Sequence, residues 1–260
     1  AHWLLMTSIA SKGHKVVISG TGADELFSGY FDHHNAYLNV VRGTPDYQIA
    51  LENWRRNIQP IVRNPFLKDA DYFFNDQNRR EHIYLDAPKF SENLRSKFKE
   101  KFDESDYSRD LLRNRMANEL LHESVPVILH EDDLNAMSVS IENRSPFLDR
   151  SLFDWCQKIP TRHLIRDGRA KAVLRAAVKG LASDRVIDNP RKVGFNAPIF
   201  DFLDVHDPKV REELLDYGKI FDIVKKEAIE ELVDSPELPN SRSKFLFNFV
   251  NAKIFLEEFA

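Results

Sequence analysis

Residues 16–22 constrain this chain more than any other stretch, because three consecutive β-branched residues, Val16, Val17 and Ile18, run straight into Ser19-Gly20-Thr21-Gly22. An apolar run without polar alternation favours a strand covered on both faces of an α/β sheet. Burying each such side chain is worth roughly 1.5–3 kcal/mol. Gly20 and Gly22 permit left-handed backbone and let a ligand approach the main chain closely. Asp24 and Glu25 follow at the carboxyl end of the strand, where open α/β sheets bind ligands. The plain alternative is an ordinary strand-to-helix connection with an acidic first turn. A helix over residues 2–12, carrying Trp3, Leu4, Leu5, Ile9 and Ala10 and closed at Gly13, feeds the strand. One strand cannot form a sheet, and few other strong strand runs are visible, so partner strands are expected upstream of residue 1.

Charge and cysteine usage narrow the function classes. The formal net charge is −4, with 37 basic and 41 acidic residues intermixed, which gives no overall drive toward nucleic acid or an anionic membrane. Any anion site must be local. The single cysteine, Cys156, excludes an intramolecular disulfide and a multi-cysteine zinc site, and beside Trp155 it reads as a core residue. No run reaches the roughly 18 apolar residues of a membrane span, and no signal-peptide pattern opens the chain. A cytoplasmic protein with no nucleic-acid or membrane partner is expected.

Residues 43–110 read as short helices and loops, punctuated at Gly43-Thr44-Pro45, Asn64-Pro65 and Ala87-Pro88. Their aromatics, among them Phe66, Tyr72, Phe73, Phe74 and Tyr84, alternate with arginines in a way that could suit base stacking. Acids are equally frequent, however, and helical cores use aromatics in the same way. His33 and His34 are metal-capable, but adjacent residues do not share a helix face; surface or hydrogen-bonding roles are expected. His122-Glu123 and the run His130–Asp133 lack the spacing of a zinc protease motif. Helical periodicity over 111–129 meets Pro126, where the helix should kink or restart.

Asp133 can begin a helix with Met137 and Ile141 one turn apart, and Glu142 and Arg144 arrive just before Ser145-Pro146, where that helix must end. Beside apolar Phe147 and Leu148 this charged pair is expected to be partly buried. It is then either a structural ion pair or a carboxylate and guanidinium that hold substrate or its phosphate. Arg166-Asp167-Gly168 is a turn and Lys171–Gly180 a compact helix. In the loop Asn189–Pro198, Arg191 and Lys192 lie between prolines beside Gly194, a setting in which lysine is a suitable point charge for phosphate. Helices near 207–217, 222–234 and 244–259 close the chain.

Three stretches, in order, carry a resemblance: Ser19-Gly-Thr-Gly-Ala-Asp-Glu-Leu-Phe-Ser-Gly-Tyr30, Ser140-Ile-Glu-Asn-Arg-Ser-Pro-Phe-Leu-Asp149, and Lys192-Val-Gly-Phe195 with Pro198. Together they resemble the synthetase domain of glutamine-hydrolysing asparagine synthetases, with weaker agreement at Lys171–Arg175 and in the closing aromatic helix. The resemblance implies an α/β fold, the C-terminal part of a doubly wound adenine-nucleotide-hydrolase-like (ATP pyrophosphatase) domain that is predominantly helical in this chain. Residues 1–42 would end the nucleotide-binding core, 43–110 form a helical insertion, and 111–260 supply a helical substrate and phosphate region. The family activates a carboxylate, here aspartate, by attack on the α-phosphate of ATP; ammonia from a glutaminase domain then displaces AMP.

By the same resemblance, ATP and Mg2+ are the implied cofactors. Asp24 is implied as a catalytic residue of the magnesium and pyrophosphate site, and Ser19, Gly20, Thr21 and Gly22 line the pyrophosphate region. Lys192 is implied as the catalytic lysine on the phosphate oxygens, and Glu142 and Arg144 as substrate-region residues, Glu142 with a catalytic part. A serine- and glycine-rich phosphate loop and the glutaminase are expected before residue 1, so this stretch alone is expected to be inactive. Leu134 and Ala136 replace polar residues of the family pattern. Thr21 stands where the family usually has glutamate, and a hydroxyl can hydrogen-bond but not act as a base near neutrality. That difference leaves open a relative that amidates or cyclises another carboxylate, of surface-sugar amidotransferase, β-lactam synthetase or peptide cyclase type. The third reading is a non-catalytic helical binding module, against which the retention of both Asp24 and Lys192 speaks.

Overall fold

The computed structural model describes residues 2–83, 87–98, 102–190, 199–236, 238 and 240–259. Along the chain run α1 (His2–Ser11), β1 (Val16–Ile18), α2 (Ala23–Phe27), α3 (Phe31–Val41), α4 (Tyr47–Asn57), α5 (Ala87–Glu92), α6 (Leu111–Asn118), a π turn (Glu119–Glu123), α7 (Val125–Met137) and β2 (Glu142–Arg144). There follow α8 (Arg150–Cys156), α9 (Ala172–Ala177), α10 (Asp184–Ile187), α11 (Pro208–Leu215), α12 (Lys226–Asp234) and α13 (Asn240–Phe259), with short 3-10 turns between them. Local chemistry sets several boundaries. The Asp110 carboxylate accepts from the Arg113 N–H to open α6, and Asp149 caps α8 by accepting from Ser151 and Leu152. Pro126 sits in the first turn of α7, where its missing N–H costs nothing, so the helix restarts there after a wide π turn.

The sheet differs from the sequence expectation in an instructive way. β1 pairs in parallel with β2, Val16 opposite Glu142 and Ile18 opposite Arg144, so a partner for the strand lies within this chain. The Glu142 N–H donates to the Lys15 carbonyl at 2.9 Å and the Ser19 N–H to the Arg144 carbonyl at 2.8 Å. Residues 142–144 therefore form a strand and not a helix end; Ser140, with φ of 58°, turns the chain after α7. Nor is β1 covered on both faces. Val17 packs toward Met6, Ala136 and Ile141, whereas Val16 and Ile18 are 45% and 75% exposed. Three apolar residues in a row put apolar groups on both sides of the strand, and the described residues cover one of them.

The chain forms two compact units, residues 1–82 with 103–194, and 83–102 with 195–260. In the first, Leu26, Phe27, Leu38, Trp54, Tyr72, Phe73, Leu112, Met116, Cys156 and Leu164 are buried in one cluster. Tyr72 and Phe73 thus serve as core, as does Cys156; Tyr84 lies outside the described residues. In the second, Ile220, Phe221, Ile229, Leu232, Leu246 and Phe249 form the core, Phe90 stacks on Phe245 at 4.8 Å, and Leu94 bridges Val224.

Candidate functional site

The turn after β1 is shaped by steric need. Gly22 has φ of 91°, and a Cβ there would lie 2.4 Å from Leu148 Cδ2, so the turn can close on the Pro146–Leu148 segment only with glycine. Phe27 meets Phe147 edge-on at 6.1 Å, and Ser19 Oγ is 3.0 Å from Ser145 Oγ. Two of the three motifs, separated by more than a hundred residues, are in this way packed into one structure. Gly20 is set differently, with open space where a Cβ would stand.

Asp24, in the first turn of α2, meets a partner that the sequence reading missed. Lys171 Nζ stands 2.8 Å from Asp24 Oδ1, and both side chains keep about a quarter of their surface exposed. Lys171 is held by its backbone: its φ is 56°, and its N–H donates to the carbonyl of Ser28, itself at φ of 68°. A Cβ on Gly29 would fall 1.5 Å from Asp24 Oδ1 and 2.6 Å from Lys171 Cε. Glycine at 29 is thus a condition for the pair. The Asp24 side chain keeps solvent access, as a carboxylate that shares magnesium with substrate phosphates needs. The Lys171 ammonium on Oδ1 opposes a second cation, so a metal would be held there only as Lys171 moves off to a phosphate.

Thr21 is tied to a second missed acid. Its hydroxyl donates to Asp132 Oδ2 at 3.2 Å, and Asp132 Oδ1 lies 2.6 Å from His2 Nδ1. Ser19 Oγ donates to Thr21 Oγ1 at 3.1 Å. A buried carboxylate from α7 therefore stands one hydrogen bond behind the hydroxyl. Asp132 falls in the run His130–Asp133, whose spacing shows no metal motif; no local signal marks its link to residue 21.

Glu142 and Arg144 pair with each other at 2.8 Å, but both are about 60% exposed, not partly buried as expected. They sit two apart on β2 and so share one face, on the same side as exposed Val16 and Ile18. Each stabilises the other's charge, lowering the carboxyl and raising the guanidinium. Lys192, with the rest of its loop from 191 to 198, lies outside the described residues.

Behind the turn lies a buried ionic network. Arg115, nearly inaccessible, reaches Glu119 at 2.9 Å, Glu123 at 3.1 Å and Asp32 at 3.6 Å, and also pairs with Glu104. His33 Nε2 stands 2.6 Å from Glu119, and His82 Nε2 3.3 Å from Asp32. The Tyr30 hydroxyl donates to Glu25, and burial with that carboxylate raises Tyr30 well above the usual phenol range. Asp32, His33 and Glu119 could together ligate a metal. Arg115 pairs with both carboxylates, and the nearby acids raise His33 against the effect of its burial, favouring an imidazolium that cannot ligate. The cluster reads as structural.

A family model described as asparagine synthase matches residues 1–257. The chain belongs to the asparagine synthase family. It is 29% identical over 211 residues to asparagine synthetase (glutamine-hydrolyzing) 1 of Bacillus subtilis (strain 168), covering 75% of this chain and 32% of that protein. It is 24% identical over 243 residues to asparagine synthetase (glutamine-hydrolyzing) 3 of the same organism, covering 87% of this chain and 32% of that protein. The chain spans about a third of the length of these curated asparagine synthase relatives. Among the described residues no helix is long and apolar enough to cross a membrane.

Proposed function

We propose that this chain carries the pyrophosphate-side half of an ATP-dependent, AMP-forming amidotransferase that converts aspartate to asparagine with ammonia from glutamine. The observation that carries the reading is the Asp24–Lys171 pair, set on the glycine turn at the carboxyl end of β1 and braced by the Pro146–Leu148 segment. The asparagine product and the use of glutamine follow the names of the two relatives, and aspartate follows the family resemblance of the three motifs.

In this reading Asp24 holds Mg2+, which when bound neutralises charge on the leaving pyrophosphate. Ser19, Gly20, Thr21 and Gly22 face the pyrophosphate. Lys192 supplies a fixed cation on the phosphate oxygens, and Lys171 a second once Asp24 turns to the metal. Glu142 and Arg144 take the substrate region. Thr21 lacks the carboxylate that the family pattern puts at its position, and Asp132 stands behind it. With its proton held in the hydrogen bond to Asp132, the hydroxyl can accept from and orient an N–H of the incoming ammonia.

Pyrophosphate release by the full-length protein with ATP, Mg2+, ammonia and a panel of carboxylic acids tests the reading. Release that depends on aspartate is the expected result. Release with a different acid would move the chain to a relative that amidates or cyclises that acid, and release with none would remove the ligase assignment.

A further inference from the structure

A cavity of about 310 Å3 opens between α3, α4 and the segment 162–168, and none of the residues assigned above to pyrophosphate or substrate lines it. Its volume falls at the lower end of small-molecule sites. Three polar side chains of its wall, His34, Tyr37 and Trp54, are almost wholly buried. The Trp54 indole N–H has no acceptor among the described residues. A buried donor left unmatched costs about 1–3 kcal/mol, so such a group marks a place that a ligand or water completes.

The charge pattern narrows the ligand. His34 is held neutral, pushed down to about 3 by its burial and then by His33, with Asp32 opposing; it offers one donor and one acceptor. Tyr37 keeps its proton, raised by burial and by Asp46. The interior is therefore uncharged but able to hydrogen-bond. The mouth carries both signs, Arg162 and Arg166 with Asp46 and Asp167. Arg166 and Asp167 pair with each other at 3.8 Å, so the mouth is balanced in charge: it favours neither a net anion nor a net cation, while a zwitterion can meet both signs.

One wall is firmly built. Arg166 and Arg169 exchange backbone hydrogen bonds of 3.0 and 2.8 Å across Asp167 and Gly168, both left-handed, as a tight two-residue hairpin requires. Asn57 Nδ2 donates to the Asp167 carbonyl at 3.1 Å, and a Cβ on Gly168 would lie 2.9 Å from the Asn53 carbonyl oxygen. The hairpin is thereby pressed against α4.

We propose that this cavity binds a free amino acid with an uncharged side chain. The ammonium and carboxylate take the charged mouth, and the side chain lies against His34, Tyr37 and Trp54. Calorimetric titration of the full-length protein with free uncharged amino acids other than glutamine and asparagine, which the proposed glutaminase and synthetase sites would themselves take, alongside a neutral sugar and a dicarboxylic acid that lacks an amino group, tests it. Because the titration contains no ATP, its outcome is independent of adenylation.

The expected result is saturable binding of at least one uncharged amino acid. Arg162→Ala and Trp54→Phe should each weaken it roughly tenfold or more, and Lys171→Met should leave it unchanged. Arg162 is exposed, so its replacement should keep the melting temperature of the wild type. Failure of every amino acid to bind, with only water in the cavity, would overturn the proposal. So would preference for the sugar or the diacid, or binding that survives both cavity variants.

Discussion

Two charge-rich regions of the first compact unit make opposite use of the same residue types. Around Arg115, carboxylates and cations are buried and matched against one another: a single guanidinium serves Asp32, Glu104, Glu119 and Glu123. At the β1 turn, Asp24 and Lys171 keep solvent access, and their pairing depends on a glycine that leaves room for both side chains. Burial explains the difference. A buried ion must be neutralised by the protein itself, whereas a partly exposed pair can exchange its partner for a ligand at modest cost. Arg115 is thus bound to the fold, and Asp24 is available for chemistry.

Arg115→Met should break this contrast most severely, leaving four acids around an uncharged side chain. A loss of about 3–5 kcal/mol is expected in urea unfolding, and wild-type stability would contradict the network's structural role. Gly29→Ala comes next. The added methyl displaces Asp24 or Lys171, and pyrophosphate release should fall about a hundredfold with the melting temperature little changed. Equal losses of activity and folding would instead place Gly29 with the core.

The pH dependence of stability sharpens the comparison further. His33 is raised from 6.5, Glu119 being the largest favourable influence against burial, so its contribution is complete below 6.5 and fades as pH rises through the folded value. His34 is depressed to about 3 by burial. Its unfolded form binds the proton first, so its contribution is complete above 6.5 and is lost as pH falls toward 3. The two histidines together favour the folded state most near pH 6.5, so His33→Gln should flatten the alkaline limb of melting temperature against pH and His34→Phe the acid limb. The smallest effect belongs to Glu142→Gln. That exposed pair should leave the melting temperature untouched, and any change should appear in activity alone.

What the sequence revealed follows from how local each feature is. The β1 run, its glycine turn, the restart at Pro126 and the helix after Lys171 are legible because propensity and chain stiffness act over a few residues. The ordered motifs carried the family in the same way. Pairings across the chain were hidden. Nothing local links Lys171 to Asp24, Asp132 to Thr21, or Val16 to Glu142, since each depends on how distant segments pack. The exposure of Glu142 and Arg144 was misjudged because neighbouring Phe147 and Leu148 in sequence do not lie over them on the strand. Arg115 was overlooked for the opposite reason, as an arginine in a mixed helical stretch, two residues from Arg113, gives no sign of the acids that converge on it.

The most direct measurement follows labelled oxygen through the full-length protein's reaction, with aspartate carrying heavy oxygen in its side-chain carboxylate and ATP and ammonia supplied. Attack on the α-phosphate predicts that one labelled oxygen ends in AMP and the other remains in the amide, with pyrophosphate unlabelled. Label in pyrophosphate or inorganic phosphate, or amide formed without label in AMP, would contradict the account.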